Sequence, residues 1–373
     1  MNFKFYFHNG VCTMNRIILI GNGFDLAHGL KTGYKDFIDD FWVREKGDAY
    51  IGLIKSRRSS FYSYIDDFIK IESPCNYESL LNTIDNNEDG YEWFKALSKS
   101  KSNIWVDSEI INLKVTLNSF LQTISEKIVI EKWVDVEEEY YLTLKNCIEE
   151  NKLNDILLLN REFSKVQEVL EEYLKIQSSY SIKKNPIIEQ KIYSPVSLSF
   201  FKKETDEIEN VLFLNFNYTN TEKLYLSKKY SFHTIHIHGE LNNPDNPVIF
   251  GYGDEIDEKY KLIEQINDNR YLQNIKSIKY LETRNYSKLL AFIDSDPFEI
   301  FIMGHSCGIS DRTLLNTLFE HENCVAIKVF FHKKPDGTDN YSDLTRNISR
   351  NFIDKPLMRK RVINKKDSQP LLD

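Results

Sequence analysis

Hydrophobic residues follow two rhythms along this chain. No glycine occurs between Gly90 and Gly239 and no proline between Pro74 and Pro186. Within that stretch Leu159, Phe163, Val166, Leu170 and Tyr173 recur at steps of four and three in "LNREFSKVQEVLEEYLKI", one apolar stripe of a helix. Upstream, "SEIINLKVTLNSFLQTISEKIVIEKW" has similar spacing, so residues 36–195 are expected to form a helical insertion or cap.

The flanking sequence is built differently. The run 17–20 is β-branched apart from one leucine and is followed by Gly-Asn-Gly, which predicts a buried strand ending in a tight turn. After residue 195 come "NVLFLNFNYTNT", "HTIHIHGEL", "NPVIFGYGDE" and "EIFIMGHSCGISDRTLL", each an apolar run closed by a polar cluster. "NCVAIKVFFH" reads as one more strand, and a helical stretch from about 256 to 290 separates the third run from the fourth. The expected fold is α/β. A Rossmann-like, mainly parallel sheet would be drawn from residues 14–35 and 196–350, with the large helical insertion at 36–195 and a basic tail at 351–373.

Composition narrows the classes. A net charge of -8 over 373 residues, 41% of them hydrophobic, gives a real core and argues against a broadly basic nucleic-acid binder. The five cysteines are scattered with no CxxC pair, which suggests neither a zinc knuckle nor a redox couple and suits a reducing cytoplasm. No uncharged apolar run approaches the roughly 18 residues of a membrane span. The leader "MNFKFYFHNGVCT" has no sustained apolar region, so a secretory signal is not expected and Met14 is a candidate natural start. The tail carries Lys355, Arg359, Lys360, Arg361, Lys365 and Lys366, which predicts a solvated or frayed end.

The polar clusters all follow their apolar runs. In a parallel α/β sheet the ligand crevice lies beyond the carboxyl ends of the strands, so five sequence-distant clusters would converge on one small-molecule site. Ordinary strand-to-helix turns also use Gly, Asn, Asp and Ser, and are the structural alternative. In "GNGFD", Gly21 and Gly23 around Asn22 suit a nucleotide loop that also holds Phe24 and Asp25. Leu26 stands where a third glycine is usual, and Asp25 would repel phosphate unless it serves a ribose hydroxyl. Thr32 is positioned to cap the next helix.

Asn217 follows a strand directly and could hold a water or a sugar hydroxyl. In "HIHG", His236 and His238 are two apart on a strand and would share a face. A metal pair would need His305, Asp254 or Asp311 as further ligands; a single base would need only His238, and with no third-ligand motif no metal is expected. "GHSCG" matches G-x-S-x-G, which makes Ser306 a candidate nucleophile with Asp311 and His321 or His332 as partners. The same loop could instead wrap an adenosine, with Ser306 and Asp311 on sugar hydroxyls.

Taken in order, "LIGNGFDLAHGLKTGYKDF", "FNYTNT", "IHIHGEL", "FGYGDE" and "MGHSCGISD" resemble the AbiH family of bacterial abortive-infection proteins, from Met14 to about residue 350. That resemblance implies defence against bacteriophage by halting or killing the infected cell. The order of motifs is also similar, more distantly, to sirtuin-type NAD-binding domains. That likeness implies Asn217 and His238 at the nicotinamide ribose, Gly21 and Gly23 at the phosphates, and Ser306 toward the adenosine. Gly239, Gly304, His305 and Asp311 complete the expected binding set. Thr219 stands where the sirtuin pattern has aspartate, and the zinc ribbon of the protein deacylases is absent.

The expectation is therefore a cytoplasmic enzyme that takes NAD as substrate and cleaves its nicotinamide to ribose bond, with Asn217 placing water or holding a ribose hydroxyl and His238 as base. The alternatives are a nucleotide-sensing module that engages a phage or host trigger protein through its helical region, and a serine or metal-dependent hydrolase. If it is an enzyme, the helical region or a homo-oligomeric arrangement would restrain it at rest.

Overall fold

The computed structural model describes residues 7–8, 11–41, 63–65, 69–72, 104–106, 109–111, 114–117, 119–126, 132–150, 153–195, 207–227 and 230–372. In chain order the strands are β1 (Phe7–His8), β2 (Val11–Ile20), β3 (Ser63–Ile65), β4 (Ile69–Glu72), β5 (Ile104–Val106), β6 (Glu109–Ile111), β7 (Lys114–Leu117), β8 (Glu207–Asn215), β9 (Ser231–His236), β10 (Phe298–Met303), β11 (Cys324–Phe331) and β12 (Gln369–Pro370). The helices are α1 (Asn22–Ala27), α2 (Tyr34–Asp40), α3 (Ser119–Glu126), α4 (Trp133–Glu149), α5 (Leu153–Ser178), α6 (Pro186–Ile192), α7 (Glu258–Gln265), α8 (Lys276–Lys279), α9 (Asn285–Ser295), α10 (Arg312–Phe319), α11 (Tyr341–Asn351) and α12 (Lys355–Arg361). The chain divides into two compact units, Met1–Thr32 with Glu171–Asp373, and Gly33–Leu170.

The first unit is an α/β domain. Its sheet has the order β12-β11-β10-β2-β8-β9 with all neighbours on this path parallel, and β1 lies antiparallel on β2. Continuous apolar runs suit strands covered on both faces, and alternate residues go to opposite sides. Ile17, Leu19, Leu212, Leu214, Ile300 and Ile302 pack with Leu289 and Ile293 of α9, Leu314 and Leu318 of α10 and Ile348 of α11. Ile18, Ile20, Val211, Phe213, Phe301 and Met303 pack with Phe24 of α1, Ile188 and Ile192 of α6, and Tyr225. A buried ion pair, Arg16 Nε to Glu299 Oε1 at 2.9 Å, joins β2 to β10, and Arg16 Nη1 also donates to the Ile192 carbonyl at 2.6 Å.

Register sets up the functional edge. Met303 of β10 pairs with Ile20 of β2, Ile20 with Asn215 of β8, and Asn215 with His236 of β9, so four strands end in one line. From β2 the chain moves outward through β8 and β9, then crosses back to β10 and on to β11 and β12. The order therefore reverses between β2 and β10, which is the switch point where open parallel sheets form a crevice.

Two expectations for this unit are corrected. "NPVIFGYGDE" is not a strand. Pro247 has no N–H to give a ladder, and the segment runs as an irregular buried loop with the Ile249 N–H on the His238 carbonyl at 2.7 Å. Of the solvated or frayed end expected for the basic tail, the solvated part stands, with Lys355, Arg359, Lys360, Lys365 and Lys366 exposed, and the frayed part is corrected. Asp354 caps α12 through Leu357 N–H at 2.9 Å, the buried Arg361 donates to the Phe319 carbonyl at 2.5 Å, and β12 pairs with β11.

In the second unit the expectation of helix holds for α3, α4 and the part of α5 that it contains. Phe120, Tyr140 and Phe163 form a ring cluster, with Tyr140 and Phe163 centroids 4.2 Å apart, and Tyr140 Oη donates to Asn160 Oδ1 at 2.6 Å. α2 is helical too, but at other described positions strands stand where helix was expected: β3-β4-β7 form one antiparallel sheet and β5-β6 a hairpin pair. The β-branched Ile110, Ile111, Val115 and Thr116 favour extended pairing. Lack of glycine and proline permits helix without enforcing it.

Candidate functional site

The two glycine loops at the switch point interlock. Gly21 leads from β2 into α1, and Gly304 leaves β10 with φ +80. Gly23 N–H donates to the Gly304 carbonyl at 2.9 Å. A Cβ on Gly304 would fall 2.1 Å from Phe24 N, and one on Gly21 would fall 2.6 Å from His305 Cα. These glycines thus let two backbones touch, and the Gly23 N–H expected at a phosphate is held by a carbonyl. Phe24 is buried against Tyr225. Asn22 Oδ1 accepts from Thr32 Oγ1 at 2.6 Å, while α2 takes Gly33 as its N-cap with no side-chain hydrogen bond, so the capping role expected of Thr32 is not realised.

Beside this contact lies a closed polar network. The buried Asp25 accepts from Thr219 Oγ1 at 2.6 Å and Thr221 Oγ1 at 2.7 Å. Burial raises its carboxyl to about 6, partly offset by the two hydroxyls. Thr219, the departure from the sirtuin pattern, is therefore a ligand of Asp25. Asn217 Nδ2 donates to the Gly21 carbonyl at 3.0 Å, which ties the β8 loop to the first glycine loop. His236 lies between the Asn217 carbonyl at 3.3 Å and Glu222 Oε1 at 3.0 Å. With acceptors at both ring nitrogens it is suited to the imidazolium form. Burial alone would lower its pKa, but the hydrogen bond and charge of Glu222 outweigh burial and raise it.

A different cluster surrounds His238. The strand ends at His236, so the alternation expected to put both histidines on one face does not extend to His238. His238 Nε2 is 3.1 Å from Asp311 Oδ1 and 3.2 Å from Tyr280 Oη, leaving Nδ1 as the nitrogen that can carry the lone pair. Lys276 Nζ reaches the same Asp311 oxygen at 2.9 Å. His305 faces Asp311 Oδ2 at 3.6 Å, and its Nδ1 accepts from Cys307 N–H at 3.0 Å. Phe216 packs edge-on to His238 and tilted against His305. Gly239 turns the chain away with φ +90, its Cα packed on Pro247. Burial and then the Lys276 charge lower His238 to about 4, against the opposing pull of Asp311. Burial would raise Asp311, yet Lys276 and His238 hold it well below the usual carboxylate range.

The serine triad is not assembled. Ser306 is half-buried and its carbonyl accepts from Asn347 Nδ2 at 2.8 Å. His321 is paired with Asp294 at 3.1 Å and packs on Phe298, at the far end of β10 from Ser306. Asp311 is bound by Lys276 and His238 instead, and His332 sits exposed past β11. His236 and His238 point their Nε2 atoms at different carboxylates, and among the described residues no group of three or more His, Cys, Asp and Glu is placed to hold a metal ion.

The site thus joins loops after β2, β8, β9 and β10, with Lys276 and Tyr280 added from the 256–290 stretch. The profile of the family described as bacteriophage abortive infection AbiH matches residues 17–333. The chain belongs to the AbiH family. That match runs from β2 to just past β11, so every side chain of the two clusters lies inside the AbiH region, while α11, α12 and β12 lie beyond it. No curated protein sequence and no solved structure matches this AbiH chain. No helix of the described residues is long and apolar enough to cross a membrane.

Sequence reasoning missed Lys276, Tyr280, Glu222 and Thr221. The first two lie in a stretch read as a helical spacer. For Glu222 the available signal was an acid shortly after "FNYTNT", at the distance needed to return to the strand end.

Proposed function

We propose that this AbiH protein serves abortive infection by binding a nucleotide of the NAD class at the sheet's switch point and hydrolysing its nicotinamide to ribose bond. The observation that carries the reading is the buried His238 with Nε2 3.1 Å from Asp311 Oδ1 at this edge; burial and the Lys276 charge lower it to about 4, which favours a neutral imidazole whose Nδ1 would take the proton.

In this reaction the bond from ribose C1′ to the pyridinium nitrogen breaks and its electron pair neutralises the departing nicotinamide. An oxocarbenium-like ribose remains. Water adds to C1′ and loses a proton to His238 Nδ1 and then to solvent, giving ADP-ribose, nicotinamide and a proton. An imidazole with a pKa of about 4 is a weak base. It suffices here because water becomes strongly acidic as it bonds to an oxocarbenium carbon. Asn217, through Gly21, fixes the loop against which the nucleotide would lie, and Ser306 stands on the adenosine side of that reading.

The test is to incubate purified protein with NAD, with and without phage lysate, and to follow nicotinamide by chromatography. Release by the wild type that falls by about 100-fold or more in His238→Ala is the expected outcome. No release under either condition, or equal release by the variant, overturns the reading. NAD recovered intact together with a thermal shift would identify a sensor instead.

A further inference from the structure

We infer that Lys276 is the positioning residue of the His238–Asp311 pair: its ammonium takes up the negative charge of Asp311 and so keeps His238 a neutral imidazole with one fixed tautomer. The inference deepens the proposed hydrolysis and rests on it for its catalytic meaning, but the charge state of His238 can be read without turnover.

The geometry is specific. Lys276 Nζ and His238 Nε2 meet the same atom, Asp311 Oδ1, at 2.9 and 3.1 Å. The lysine side chain is fully buried at 0% exposure, and Asp311 is 8% exposed. Two full positive charges on one buried carboxylate would repel each other, so the second donor is held neutral when the first is an ammonium. The groups facing His238 are Asp311, Lys276, His305 and Tyr280, with the Cys307 thiol against Asp311. Of these, Lys276 supplies the fixed positive charge.

Its delivery is built into the fold. Tyr252 N–H donates to the Asn274 carbonyl at 3.1 Å and Lys276 N–H to the Tyr252 carbonyl at 2.8 Å, clamping the start of α8 to the 251–253 loop. Gly253 lies tight between Lys276 and the Ser310 carbonyl, where an added Cβ would stand 3.2 Å from Lys276 Cβ and 2.9 Å from Ser310 O. Ser310 directly precedes Asp311. The strap and the carboxylate are thereby locked together through backbone contacts, so the ammonium arrives at a fixed point.

The experiment is histidine-selective NMR of the full chain across pH 4 to 8, comparing wild type, Lys276→Met and Lys276→Arg. In Lys276→Met the unneutralised Asp311 should raise the His238 titration by about one to three pH units, and Lys276→Arg should restore the low value. His236 should titrate alike in all three, which shows that the fold is kept. An unchanged His238 titration in folded Lys276→Met overturns the inference. Should that variant not fold, Lys276→Gln, which keeps a hydrogen-bond donor but no charge, decides: a raised His238 titration supports the inference, and a wild-type titration overturns it. Failure of nicotinamide release would sink the hydrolysis while leaving this titration result standing.

Discussion

His236 and His238 stand two residues apart at the end of β9 and meet opposite surroundings. His236 has an acceptor at each ring nitrogen, and the bond and charge of Glu222 favour its charged form. His238 shares its carboxylate with a buried lysine, so its neutral form is favoured. One half of the sheet edge is thus a hydrogen-bonded network in which Asp25 accepts from Thr219 and Thr221, Asn217 donates to the Gly21 carbonyl, and Glu222 takes both Asn215 and His236. In the other half, His238 and Lys276 share the buried carboxylate of Asp311. The lesson is that residue type and spacing alone do not separate a charged buried histidine from a neutral one; burial and the charges of its neighbours have to be known as well.

The largest expected effect comes from breaking the closed half. Glu222 is fully buried and takes both Asn215 Nδ2 at 2.7 Å and His236 Nε2 at 3.0 Å. Glu222→Gln would aim an amide N–H₂ at one of these donors and strand the imidazolium, which should cost about 3–5 kcal/mol in chemical denaturation. His236 has a raised folded-state pKa, so its contribution is complete below the ordinary 6.5 and is lost as pH rises through the folded value. The variant should remove that decline yet leave the His238 titration in place. A loss below about 1 kcal/mol would show that the two halves are not distinguished by buried charge.

What could be read beforehand follows the same division. The run 17–20 and "EIFIM" were legible as central strands because two-sided burial demands continuous apolar sequence. Convergence of "GNGFD", "FNYTNT", "HIHG" and "GHSCG" on one edge was legible because parallel strands all end on the same side. "NPVIF" carried the same apolar signal but fills a loop, since composition does not report whether a ladder partner exists. Lys276 was illegible because a lysine in a polar helical stretch looks solvated, and only the strap to Tyr252 and Gly253 buries it. Gly21 and Gly304 were recognised as necessary, but a sequence does not say whether a glycine admits a phosphate or another backbone.

A second test sharpens the comparison through pH. Asp25, raised to about 6 from 3.8, binds its proton more tightly when folded, so its contribution is full below pH 3.8 and is lost as pH rises through 6. His238, lowered to about 4 from 6.5, acts in reverse: the folded state gains as pH rises from about 4 to 6.5. Each is worth about 3 kcal/mol over its window, and the two oppose each other between pH 4 and 6. Urea denaturation of the wild type should therefore vary little there on account of these groups. In Asp25→Asn the His238 contribution is no longer opposed by that carboxylate, and stability should climb by about 3 kcal/mol from pH 4 to 6.5 on account of His238. Superimposable pH profiles for the two proteins would refute the opposition.

The smallest effect is expected where the motif looked strongest. Ser306 sits in a G-x-S-x-G loop, but the non-glycine residue held left-handed there is Cys307 at φ +52, and burial raises that thiol far above the range of a reactive cysteine. Its N–H steadies His305, so the strained turn orients an imidazole and leaves the serine hydroxyl without a base. Ser306→Ala should change stability by no more than about 0.5 kcal/mol. Under the proposed hydrolysis it should leave kcat within about twofold and raise KM a few-fold, because the proposal gives Ser306 one hydrogen bond to the adenosine side. A serine nucleophile demands the reverse, a fall in kcat of about 10³-fold or more. Such a fall would move the proposed chemistry from His238 to the neighbouring loop and leave the imidazole a structural role at this edge.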